Sequence, residues 1–209
     1  MPPVSQRILD LARRHWPLLA LLLPCLLLAL GGEPLRVALR YERVAILHGE
    51  AWRLFTGNFV HLGTGHLLED MAGLLLLWLL FEDALPGWRT PAVVSAGALA
   101  VGLGLLAGDP QVDWYVGISG ALDTLWAAGS LGLIRRRDRF GWVLAALLVS
   151  KLAYEQCFGA LPFSSVSTGG AVIVDAHLYG AFAGALIGFG GGLPWHRIMR
   201  GPKRSGDGA

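Results

Sequence analysis

Gly117-Ile118-Ser119-Gly120 sets a hydroxyl between two glycines, where small neighbours let another backbone approach, as the nucleophile of a hydrolase requires. A helix starting at this point would add free backbone N–H groups and a favourable dipole for a developing oxyanion. His177 is followed by Gly180 and Gly184, a spacing of small residues that lets helices pack with their backbones close. A histidine base drawn against Ser119 in this way is the minimum apparatus for acyl transfer. The competing reading is structural, because a buried serine on an apolar helix ordinarily bonds back to its own backbone. The elements that carry the two residues decide between these readings.

Those elements are apolar to a degree that excludes a water-soluble surface: 54% of the 209 residues are hydrophobic and only 15% are charged. A bilayer core needs roughly 20 apolar residues per helix. The chain supplies six such runs, over Trp16–Gly32, Leu62–Leu80, Pro91–Gly108, Trp114–Ile134, Phe140–Cys157 and Val172–Leu193. The predicted fold class is thus all-α and membrane-embedded, with six transmembrane helices. The first run, preceded by Arg7, Arg13 and Arg14, also fits a signal peptide, and either reading leaves the later runs oriented alike.

Of the 17 Lys and Arg residues, 12 fall on one side of this arrangement: those three, Arg89, the Arg135–Arg139 group, and Arg197, Arg200, Lys203 and Arg204. Arg36, Arg40, Arg43 and Arg53 lie on the other side, and Lys151 lies within run five. The positive-inside rule then puts both termini in the cytoplasm. Three regions follow: a cytoplasmic tail over 1–15, a membrane domain over 16–193, and a basic cytoplasmic tail over 194–209. The long connection at 33–61 includes the amphipathic stretch Leu35–Arg40 and is expected to lie half embedded in the outer interface. With a net charge of +2 and no continuous basic face, nucleic acid is not an expected partner. Cys25 and Cys157 both sit in apolar runs and read as small core residues, without a disulfide or a cysteine-based metal site.

Ionisable groups within such runs are costly and mark function. Run two carries His61, His66, Glu69 and Asp70 in its outer part, run four Ser119 and Asp123, and run six Asp175 and His177. At about 1.5 Å per residue, Ser119 and His177 come to the same depth, some 7–8 Å into the outer half of the membrane. Lys151 and Glu155, four apart on run five, read as a structural ion pair more readily than as substrate contacts. Asp175 reads as a helix cap, Glu69 as a contact to the first connection, and Leu74–Phe81 as lipid-facing packing. The loop Phe158–Ala171 reads as a connector or as a mobile cap over the site.

From Trp52 to Gly184 the chain resembles the rhomboid intramembrane serine proteases. The likeness rests on Trp52-Arg53-Leu54-Phe55-Thr56 leading to His61 and His66, on Gly117-Ile118-Ser119-Gly120, and on Ala176-His177 with Gly180 and Gly184. Tyr115–Leu122, Lys151–Gln156 and Ala176–Gly180 look most like the rhombosortases within that family. The resemblance implies a six-helix rhomboid fold in which Ser119 attacks a peptide carbonyl, His177 carries the proton, and no metal or other cofactor takes part. It implies an oxyanion site formed with His66 and the position held by Asp70, beside Gly117 and Gly120. For rhombosortases it implies single-span exported substrates with a C-terminal Gly-Gly-type sorting segment, cleaved at the periplasmic side of a bacterial inner membrane. Substrate identity, the group that resolves the acyl-enzyme and the oligomeric state are not legible.

Two positions depart from the family pattern. Asp70 stands where rhomboids usually have Asn, and an ionised carboxylate would repel an oxyanion; it could donate a hydrogen bond only when protonated. Asp123 shares a helix face with Ser119 and fits a Ser119–His177–Asp123 triad. It equally fits a bond to Thr124 or a backbone carbonyl, or a proton shared with Asp70. The expected function is therefore that of an intramembrane serine endopeptidase. One rival is an inactive rhomboid-like protein that binds client helices, and a second is a small transporter, which would need paired broken helices that the chain lacks.

Overall fold

A computed structural model of the chain describes residues 4–162, 164 and 170–190. The expectations about the basic tail and the middle of the loop before the last helix lie outside the described residues. Each of the six apolar runs holds a helix: α1 (Val4–Leu30), α5 (Thr64–Phe81), α6 (Arg89–Gly108), α7 (Ser119–Arg135), α8 (Phe140–Phe158) and α9 (Val174–Phe189). Two of them, α5 and α6, are long and apolar enough by themselves to cross a membrane. α7 has 17 residues because it begins five residues later than its hydrophobic run, and Lys151, Glu155 and Gln156 dilute the apolar character of α8.

α7 is the central helix, packed against α5, α6, α8 and α9. Its own face is made of Ala121, Leu125, Ala128 and Gly129, so neighbours approach it closely. The outward faces of the bundle are apolar too. Leu23 and Leu27 of α1, Leu68 and Leu79 of α5, Val143 and Val149 of α8, and Phe182 and Leu186 of α9 are all exposed. Helices that are apolar both inward and outward are what a lipid surround selects. The stretch Leu74–Phe81 is correspondingly two-sided, which corrects the expectation of lipid-facing packing. Leu74, Leu77, Trp78 and Phe81 are buried against the bundle, while Leu75, Leu76 and Leu79 face outward. Cys25 is buried but Cys157 is exposed near the end of α8, so only the first behaves as a core residue.

The connection at 33–61 is built from short pieces: α2 (Gly32–Leu39), β1 (Tyr41–Glu42), α3 (Arg43–Leu47), α4 (Arg53–Thr56) and a 3₁₀ turn over Gly57–Phe59. Arginines organise it. Buried Arg53 donates to the carbonyls of Val37 and Arg40 and to Glu50, and Arg43 caps the C-terminal carbonyls of α6 at Leu105, Leu106 and Asp109. β1 pairs antiparallel with β2 (Trp114–Tyr115), matching Tyr41 with Tyr115 and Glu42 with Trp114. The expected helix over Trp114–Ile118 does not form: Trp114 and Tyr115 are strand, Gly117 turns the chain, and Ser119 is the first residue of α7 rather than a turn inside it.

Candidate active site

Gly117 makes the turn between β2 and α7 with φ +114°, a region that L side chains rarely occupy. Its carbonyl accepts from the buried Tyr115 hydroxyl at 2.8 Å, and its N–H donates to Gly57 O at 3.2 Å. A Cβ at this position would stand 2.6 Å from the His66 ring. Gly117→Ala therefore combines left-handed strain of about 1–2 kcal/mol with displacement of His66. We expect a lower melting temperature and a slower reaction of Ser119 with an active-site probe, readable by thermal denaturation and probe kinetics on the same sample.

The turn delivers Ser119 half-buried at the N-terminus of α7, where unpaired N–H groups and the helix dipole favour negative charge. His177 arrives from α9, which lies against α7 at backbone distance. A Cβ on Gly180 would fall 1.8 Å from the Gly120 carbonyl oxygen, and one on Gly120 would fall 2.7 Å from that of Ala176. Thr124 Oγ1 donates to the Gly180 carbonyl at 2.8 Å and locks the pair. His177 Nε2 then lies 3.0 Å from Ser119 Oγ.

The other nitrogen of His177 does not meet Asp123. Nδ1 lies 3.0 Å from Oε2 of Glu155, a residue only 2% exposed. A carboxylate oxygen only accepts, so Nδ1 carries the proton and Nε2 is left to accept from the serine. Lys151 Nζ donates to the same Oε2 at 2.9 Å and to Asp123 Oδ2 at 2.8 Å. The expected Ser119–His177–Asp123 arrangement is thus corrected: Asp123 is occupied by Lys151, and the carboxylate on the imidazole comes from α8. Ligand atoms of Asp123, Glu155 and His177 lie within 4.8 Å of one another, but the Lys151 ammonium takes the place that a cation would fill between the carboxylates.

His66 and Asp70 lie on the opposite side of the Gly117 turn and face each other. Asp70 Oδ2 accepts the Ile118 N–H at 3.0 Å and lies 3.1 Å from His61 Nε2 and 3.3 Å from His66 Nε2. His66 Nδ1 accepts the Leu62 N–H at 3.5 Å. The family-based expectation of an oxyanion donor at Asp70 is corrected here. With the Ile118 N–H donating to it and two imidazole nitrogens within 3.3 Å, the carboxylate is an acceptor that ties the turn to α5. Glu69 accepts from the Ser164 hydroxyl at 2.7 Å. Asp175 accepts from Gln156 at 3.3 Å, and the N-cap of α9 is Ile173.

These groups line one cavity of about 770 Å³. Its polar end holds Ser119, His177, Glu155, Lys151, Asp123, His66 and Asp70. Its apolar flank is made by Leu76, Leu77 and Leu80 of α5, Trp126 of α7, and Leu144 and Leu147 of α8.

Comparison with known proteins shows the family. Residues 48–193 match the profile of the rhomboid domain. YdcA of Bacillus subtilis (strain 168), provisionally named as a rhomboid protease, is 25% identical over 146 residues, covering 70% of each chain. Rhomboid-related protein 2 of Mus musculus is 29% identical over 145 residues, covering 67% of this chain and 48% of its own. The chain therefore spans about half the length of the mouse relative.

Proposed function

We propose that this chain, which belongs to the rhomboid family, is an intramembrane serine endopeptidase using Ser119 as nucleophile and His177 as general base. The family is generally one of membrane-embedded serine proteases. The observation that carries the reading is the 3.0 Å contact between Ser119 Oγ and His177 Nε2 at the polar end of a cavity with an apolar flank.

In the reaction, the Ser119 O–H bond breaks and its proton passes to Nε2 while Oγ bonds to the substrate carbonyl carbon and the carbonyl π pair becomes the oxyanion. First-turn N–H groups of α7 face the developing charge. The proton then goes from Nε2 to the departing amine as the C–N bond breaks, leaving an acyl-serine. Water, or another nucleophile entering from the polar end, resolves it by the reverse sequence. The cavity flank between α5 and α8 suits an apolar helical segment, so the substrates are single-span membrane proteins.

Within the family the reading is rhombosortase-like, with a C-terminal Gly-Gly-type sorting segment as the cleaved region. Its support is that the three motifs behind that likeness converge on one site, Ser119, Glu155 with Lys151, and His177. The accompanying topology has six spans over 16–193 and cytoplasmic tails at 1–15 and 194–209, and places the site at the periplasmic side of a bacterial inner membrane. The distribution of Lys and Arg supports it.

The test is labelling of the purified chain in detergent by a fluorophosphonate, read by intact mass, alongside cleavage of a single-span protein ending in a Gly-Gly-type segment. One probe adduct per chain, absent from Ser119→Ala, is the expected result. No adduct on a folded parent chain overturns the protease reading in favour of a client-binding role.

A further inference from the structure

We propose that Glu155 is a positioning residue that turns the Ser119–His177 pair into a triad, and that Lys151 and Asp123 complete it as a buried cluster holding one excess negative charge until His177 takes the serine proton. This rests on the protease reading above and adds to it the residues that set the strength of the base.

Orientation is the first part of the inference. A lone imidazole can present either nitrogen to Ser119, and only the tautomer with the proton on Nδ1 can serve as the base. Glu155 Oε2 at 3.0 Å from Nδ1 selects that tautomer and fixes the ring plane.

Charge is the second part. The titratable groups facing Glu155 are Lys151 from its own helix, Asp123 from α7 and His177 from α9. Asp70 on α5 is bound instead to the Ile118 N–H beyond the Gly117 turn. An ion pair between Lys151 and Glu155 alone would be neutral and would leave little field at the imidazole. Asp123, 2.8 Å from the same ammonium, shares its charge. Two carboxylates against one ammonium leave the cluster a net charge of −1 while His177 is neutral, and zero once Nε2 is protonated. Burial makes an uncompensated charge expensive, so the surroundings favour the proton transfer that starts catalysis. A purely structural ion pair gives no reason for a second buried carboxylate.

The test uses the full chain in detergent and a fluorophosphonate, with kinact and KI determined separately. Glu155→Gln keeps the volume and a carbonyl acceptor but removes the charge, and is expected to lower kinact by about 10²- to 10⁴-fold with KI unchanged. Asp123→Asn, which leaves Lys151 paired with Glu155 alone, is expected to lower kinact by about tenfold, again with KI unchanged. If Glu155→Gln keeps the parent kinact, with only the labelled fraction lowered by lost folded protein, the inference falls while the protease reading stands. A parent chain that does not label at all brings down the protease reading first. Should Glu155→Gln fail to fold, Asp123→Asn decides: a parental kinact overturns the inference.

Discussion

His177→Ala reacts with a fluorophosphonate at least about 10³-fold more slowly than the parent chain, although Ser119 is still in place. A serine hydroxyl is a weak nucleophile without a base, and Nε2 is the group within hydrogen-bond reach of Oγ. Loss of the ring leaves Lys151 bonded to both Asp123 and Glu155, so the buried carboxylates keep their cation and the fold has reason to persist. Nucleophile and base act as a unit, so adding Ser119→Ala to His177→Ala slows cleavage no further than either change alone. Stopped-time labelling over hours, with a melting curve on the same sample, measures the loss in His177→Ala, and cleavage of a single-span substrate measures the double variant. A loss under tenfold would mean that another base serves Ser119, and His66, which lines the same cavity, would be the first to test.

The contact between Ser119 and His177 was legible because both lie on helices whose depth can be counted from their ends. Ser119 and His177 reach one level by that count, and the glycines beside them signal the close approach that the structure contains. Glu155 obeyed the same arithmetic. It lies near the C-terminal end of α8, which runs opposite to α7 and α9, and so comes to the same level as His177. What hid it was the i, i+4 pairing with Lys151, a satisfying local explanation for two buried charges. Asp123 offered a competing carboxylate on the nucleophile's own helix. Position along one helix cannot show which neighbouring helix turns its acid toward the imidazole; that depends on the rotation of α8 about its axis.

The turn before Ser119 was less legible, for a different reason. Two-residue strands carry no periodicity, and β1 and β2 are more than 70 residues apart in the chain. Trp114–Ile118 reads as the start of an apolar helix until Tyr41 and Glu42 are seen to pair with it. That pairing, the Gly57 carbonyl and the Asp70 carboxylate fix the turn from three directions. Asp70 thereby gains a physical account that its family position does not supply: with a backbone N–H to accept and two imidazoles close beside it, a carboxylate is a better anchor than an amide.

Gly180→Ala is expected to slow fluorophosphonate labelling by about 10²-fold while leaving most of the protein folded. The added methyl group would stand 1.8 Å from the Gly120 carbonyl oxygen and 3.2 Å from Thr124 Oγ1. The nearer atom is backbone, one residue from the nucleophile, so no side chain can move aside and α9 must shift from α7. Overpacking of this kind costs about 1–3 kcal/mol, which a helix pair locked also by Thr124 can absorb. The reaction is less tolerant, because His177 lies one turn before Gly180 and moves with it, and a displacement of about 1 Å at a reacting pair costs about 10²-fold. The rate should therefore fall much further than the melting temperature. A lowered melting temperature with a parental labelling rate would show that α9 bends around the new methyl group without carrying His177 away, and the close helix contact would then be a matter of packing alone.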